Sequence, residues 1–116
     1  MHEVGIATAI VEKASEVSRA HGDRAVSRVT MRIGALRQIV PDTLSFVFEA
    51  VSRETPVAGA ELECEWVPVR VECAGCASAY APEEAFWVCP SCGERGGRVI
   101  EGDELLLVSV ELSDEG

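Results

Sequence analysis

Cys73-Ala74-Gly75-Cys76 and Cys89-Pro90-Ser91-Cys92-Gly93 form two Cys-x-x-Cys knuckles with twelve residues between the pairs. Two intervening residues let the chain reverse, so both sulfurs of a pair reach one ion. Zinc takes four such donors tetrahedrally, at about 2.3 Å for sulfur. Gly75 and Gly93 are expected to supply the positive φ of these turns, and Pro90 fixes its own φ. Four thiolates leave no coordination position for water, so the expected zinc holds a fold together and does not catalyse. Two pairs this close favour metal over a thioredoxin-like redox motif.

Outside the knuckles, length and charge set the frame. The 116 residues amount to one domain, or one domain carrying a small metal module. A ribbon of about 30 residues cannot hold a core without metal, whereas roughly 85 residues can. Five cysteines is an odd count, which argues against a disulfide framework and for a reducing compartment. Cys64 alternates with Leu62 and Trp66, so it reads as a buried, inert thiol. Ten Lys and Arg against twenty Asp and Glu give a net charge of −10, which repels nucleic acid and anionic membranes. Glu3, Glu12 and Lys13 interrupt any signal-peptide core, and no apolar run approaches the roughly eighteen residues needed to span a bilayer. A cytoplasmic location is expected.

The remaining chain reads as a short series of elements. Val4, Ala7, Ile10, Val11, Ala14 and Val17 recur at helical spacing, so an amphipathic helix runs from Glu3 to about Ala20 and stops at Gly22. Arg28 to Ile33 alternates, with Val29, Met31 and Ile33 on one face of a strand. Pro41-Asp42 opens a second helix, with Leu44, Val47, Phe48 and Val51 as its stripe. Residues 60–72 make a long strand that changes phase. Leu62, Cys64 and Trp66 are expected inside, then Val67, Val69 and Val71, with a bulge or hinge near Pro68. A last strand runs from Leu105 to Leu112, with Leu106, Val108, Val110 and Leu112 on one face. The fold class is α+β: two helices on a small three-stranded sheet, with an inserted four-cysteine, zinc-ribbon-like module. Residues 1–69 and 99–116 form the α+β domain, and 70–98 the zinc module.

Met1-His2-Glu3 stands at the head of the first helix. A free α-amine, the His2 amide and a His2 ring nitrogen can close two fused chelate rings on one ion, with the Glu3 amide or carboxylate as fourth donor. Square-planar nitrogen and oxygen ligation suits Ni(II) or Cu(II). Met1 is expected to persist, because the bulky His2 blocks its removal. Imidazole must be neutral to bind, so affinity should fall in acid, around the ordinary histidine value of about 6.5. Taken alone, a second-position histidine is usually just an exposed residue.

With Met1-His2-Glu3 at the start of that helix, several further features stand in order: Arg32-Ile33-Gly34, Val40-Pro41-Asp42, Leu44 with Phe46 and Phe48, Ala60-Glu61-Leu62, the two knuckles, and Gly102-Asp103-Glu104-Leu105. Across nearly its whole length the chain resembles the HypA/HybF family, nickel-insertion accessory proteins of NiFe-hydrogenase maturation. The resemblance implies a nickel metallochaperone that is not an enzyme. Ni(II) would be transient cargo at Met1, His2 and Glu3, and structural Zn(II) would sit at Cys73, Cys76, Cys89 and Cys92. It also implies a HypB-type P-loop GTPase partner, delivery to the hydrogenase large subunit, a possible homodimer, and in some members service to urease. Members with histidines beside the zinc cysteines sense pH there; the only other histidine here is His21.

Two rival readings are weaker. A nucleic-acid-binding ribbon needs basic residues around the knuckles, but residues 71–99 carry Arg95 and Arg98 against Glu72, Glu83, Glu84 and Glu94. A zinc hydrolase needs an open coordination site, which four thiolates deny. His21 reads as a cap near a helix C-terminus. Glu61, Glu63, Glu65 and Glu72 read as solvated strand positions, and Phe46 as a residue off the buried stripe.

Overall fold

The computed structural model describes residues 2–82 and 87–114. The chain opens with α1 (His2–Ala20), whose buried face is Ala7, Ile10, Val11 and Ala14. Gly22 (φ +79) and Asp23 (φ +60) turn the chain left-handed, and the Asp23 amide donates to the Ser18 carbonyl at 2.8 Å. This closes the helix as a glycine C-cap does. His21 behaves as a cap too: its ring Nδ1 bonds the Val17 carbonyl at 2.9 Å.

Strand β1 (Val26–Gly34) follows, then a single 3-10 turn at Ala35–Arg37 and helix α2 (Pro41–Ser52). Pro41 sits in the first turn, where its missing N–H costs nothing. Leu44 and Phe48 are buried, as the stripe predicts, and Val47 and Val51 only partly, while among the described residues Phe46 is the most exposed large apolar side chain, at 74%. The long strand predicted over 60–72 is two strands, β2 (Glu61–Val67) and β3 (Arg70–Glu72), interrupted at Pro68-Val69. Short strands β4 (Ala79–Tyr80) and β5 (Arg98–Glu101) precede the last strand, β6 (Leu105–Leu112).

The strands form two three-stranded sheets, ordered β2-β1-β6 and β4-β3-β5. In the first, Val29 and Met31 of the central strand are buried, and Arg28 alternates to the opposite face. There its guanidinium lies 3.4 Å from Glu111, 3.6 Å from Glu61 and 3.9 Å from Glu63. One cation thus offsets the repulsion among three carboxylates on neighbouring strands. The two outer strands, β2 and β6, are more exposed than the central one. Leu106 is 51% and Val108 58% exposed, and Trp66, expected inside, is 42% exposed. Edge position overrides alternation at these residues.

The chain divides into two compact units: Met1–Met31 with Ile39–Glu65 and Leu106–Gly116, and Arg32–Gln38 with Trp66–Leu105. The core of the first joins the α1 face to Val26, Val29, Met31, Leu44, Phe48 and Val57. In the second, Val71, Cys73, Tyr80 and Cys89 form a small cluster with Val69 and Trp87 against it. Among the described residues, no helix is long and apolar enough to cross a membrane.

Within the second unit, backbone meets backbone at Gly34, Gly102 and Val69. The Gly34 amide donates to the Glu104 carbonyl at 2.7 Å, and the Leu36 amide to the Gly102 carbonyl at 2.8 Å. A Cβ on Gly34 would stand 2.1 Å from the Gly102 carbonyl, and one on Gly102 (φ +108) 2.6 Å from Val69 Cα. No side chain fits either place. Gly34→Ala and Gly102→Ala are each expected to cost about 2–3 kcal/mol through forced backbone shifts. Urea unfolding followed by tryptophan fluorescence checks this; an unchanged midpoint for either variant contradicts the packing described.

Candidate metal centre

Each knuckle closes by the same two backbone bonds. In the first, Ala77 N–H donates to the Cys73 carbonyl at 3.0 Å and Cys73 N–H to the Ser78 carbonyl at 2.9 Å. In the second, Gly93 N–H donates to the Cys89 carbonyl at 2.9 Å and Cys89 N–H to the Glu94 carbonyl at 2.8 Å. The residue after the second cysteine must therefore turn left-handed, and it does so at Ala77 (φ +63) and Gly93 (φ +79). The expectation holds for Gly93 and fails for Gly75, which keeps a negative φ side of the turn. A Cβ at 75 would lie 2.8 Å from Glu94 Cγ, so the exposed Glu94 side chain would have to move.

This pairing brings the four predicted zinc residues together. Their sulfurs all lie within 4.8 Å of one another, with Cys73 to Cys92 at 3.5 Å and Cys76 to Cys89 at 3.6 Å. A tetrahedron with zinc–sulfur bonds of about 2.3 Å has sulfur–sulfur edges of about 3.8 Å. The donor set and its spacing therefore fit a structural zinc. Gly75 N–H donates to Cys73 Sγ at 3.3 Å. Cys73 and Cys89 are buried, whereas Cys76 and Cys92 are exposed.

Four thiols so close cannot lose protons alike without a cation among them. Hydrogen bonds from Ser78, side chain and then backbone, with a further one from Cys89, lower the Cys76 thiol to about 6. At Cys92 the Glu94 backbone pulls downward, but the hydrogen bond to Cys73, burial and the neighbouring Cys76 and Cys89 raise it to about 12. A bound divalent ion reverses that mutual penalty and deprotonates its thiol ligands outright. Cys64 stands apart, partly buried on β2, its thiol pushed up by burial.

The predicted nickel residues open α1. Met1 and the His2 side chain lie outside the described residues, as do Glu83 and Glu84, while the His2 backbone begins the helix. Glu3 is buried, at 6% exposure. Its Oε2 accepts a hydrogen bond from the Val40 amide at 3.2 Å, across a separation of 37 residues. Val40 is the N-cap of α2 and has no side-chain cap bond of its own. Sequence reasoning missed this partnership, because nothing local joins residues so distant. It also missed Ser78 and Glu94, although their shared offset of five from Cys73 and Cys89 was visible.

The family profile described as hydrogenase/urease nickel incorporation, metallochaperone, HypA, matches residues 1–112. A hydrogenase maturation factor HypA from Geobacter metallireducens is 40% identical over 112 residues, covering 97% of this chain and 99% of that one. Its counterpart from Chloroflexus aggregans is 43% identical over 112 residues, covering 96% and 98%. The solution structure of a HypA protein superposes with a TM-score of 0.72 at 24% identity, covering 99% of this chain and 98% of that one.

Two outcomes are expected for the cysteine site. Ala77→Gly relieves a left-handed alanine and should stabilise the zinc-bearing unit by about 0.5–1 kcal/mol, read as a raised thermal midpoint at fixed zinc; a lowered midpoint contradicts it. Apparent zinc affinity, measured by chelator competition, should fall between about pH 8 and about pH 6, because thiols must release protons to bind. A flat profile would mean that the thiols are not the donors.

Proposed function

Because this chain belongs to the HypA family, it is a nickel metallochaperone of hydrogenase maturation, and we propose that it carries Ni(II) on its first three residues without enzymatic turnover. The observation that carries the reading is that α1 opens at His2. The first amides of a helix have no carbonyl one turn earlier to bond, so the head of α1 presents main-chain nitrogens that the helical ladder does not use. With the Met1 amine and the His2 imidazole they form a compact nitrogen donor set suited to square-planar Ni(II). The engagement of the Glu3 carboxylate by Val40 favours the Glu3 amide as the fourth donor.

Donor chemistry keeps the two metals apart. Soft thiolates select zinc at Cys73, Cys76, Cys89 and Cys92, while amine, amide and imidazole nitrogens suit nickel at Met1, His2 and Glu3. Residues 1–69 with 99–116 are the nickel-binding domain, and 70–98 the zinc module. The family assignment supports a HypB-type P-loop GTPase as partner, the NiFe-hydrogenase large subunit as recipient, and urease as a further one. It also supports action in the cytoplasm. The net charge of −10 suits a basic protein face and repels nucleic acid and anionic lipid. The half-exposed Leu106 and Val108 on edge strand β6 offer a strip that a second copy can cover.

Calorimetric titration of protein with its native first residue should give one Ni(II) per chain, lost in His2→Ala and weakened at least about tenfold when residues are added before Met1, since the amine donor is gone. Equal affinity in the wild type and His2→Ala would overturn the site.

A further inference from the structure

Glu3 is an unusual place to bury a carboxylate. It lies in the first turn of the first helix, next to the chain's own start, yet it is 6% exposed. Burying an ionised group without partners is costly, so its contacts must repay that. Its Oε2 takes the amide proton of Val40 at 3.2 Å. That amide belongs to the N-cap of α2, the positive end of a twelve-residue helix, where a negative charge is stabilised. Serine, threonine or aspartate ordinarily fills this position and caps from within; Val40 cannot. Glu3 thus takes, from another helix, the N-cap amide that the Glu or Gln at the third helical position takes in a capping box.

Resting on the nickel site proposed above, we infer that the two ends of Glu3 have separate tasks. Its main-chain nitrogen faces the cargo, and its carboxylate locks the first turn of α1 to the start of α2. Glu3 is on this account a positioning residue through its side chain and not an oxygen ligand. The lock acts on affinity in a definite way. The leading residues of a helix fray, and ordering them on binding subtracts from affinity. A side chain tied to a second element holds the His2 and Glu3 nitrogens in place beforehand. Linkage makes the effect reciprocal: nickel bound at the head of α1 protects the Val40 amide by the same factor that the lock contributes to nickel affinity.

Val40 allows the lock to be opened without touching the nickel residues. Its φ of −84 lies near the range that proline adopts, and its side chain is 52% exposed. Val40→Pro therefore removes the donor with little change of backbone path. The experiment pairs nickel titration with visible absorption of the Ni(II) complex, and with hydrogen exchange at the Val40 amide. Val40→Pro and Glu3→Gln should each weaken nickel binding, the former about tenfold, the latter less because a neutral acceptor remains. Both should leave the ligand-field band of bound Ni(II) at its wild-type wavelength. In the wild type, Ni(II) should slow exchange at Val40 by about tenfold, and in Glu3→Gln by less.

A shifted band in Glu3→Gln would make the carboxylate a ligand and overturn the inference, as would nickel affinity untouched by Val40→Pro. So would Val40 exchange indifferent to nickel. His2→Ala separates the two levels. If it binds Ni(II) like the wild type, the site itself is wrong; if it loses Ni(II) while Val40→Pro does not weaken binding, only the lock falls.

Discussion

Everything in the second unit depends on four sulfurs being held within 4.8 Å of one another. Its apolar cluster consists of Val71, Cys73, Tyr80 and Cys89, backed by Val69 and Trp87, and two of those four buried residues belong to the sulfur quartet that fits zinc. Strand β4 has two residues and β3 three, too few for a sheet to persist alone. A divalent ion that draws both knuckles together replaces the core the segment lacks, as in other small metal-stapled modules. The near-identical bonding of the knuckles follows from this demand. Each must turn its second cysteine back toward its first, and the same pair of backbone bonds achieves it at Cys73 and at Cys89.

On the proposed assignment the two metals are kept apart by donor type. The four clustered thiols belong to one module, and the nitrogen donors proposed for nickel belong to the head of α1, a helix whose middle is packed. A cargo ion must leave again, whereas a structural ion must stay, and four thiolates with no position left for water suit the second requirement.

Much of this architecture was legible in the sequence because it rests on periodicity and on rigid spacing. Both helices, β1 and β6 follow apolar repeats of 3.6 or 2, and the cysteine offsets alone assemble the zinc donors. Failures have physical causes. Trp66 alternates correctly yet stays 42% exposed, since a strand edge ends the cover that alternation presumes. Gly75 has the composition of a turn residue, but it makes room for Glu94 while Ala77 takes the left-handed backbone. Strands β4 and β5 carry no readable pattern of their own, because the knuckles bring them into register with β3. The tie between Glu3 and Val40 is invisible for a different reason: it is a tertiary contact made by a side chain and a backbone amide, and an amide leaves no trace in composition.

One sulfur of each knuckle, Cys76 in the first and Cys92 in the second, faces solvent, while Cys73 and Cys89 are sheltered. A chelator or electrophile meeting a zinc-loaded centre would reach Cys76 and Cys92 before their sheltered partners. The solvent-facing pair would thus be the route of exchange, and the inner pair the better-protected donors.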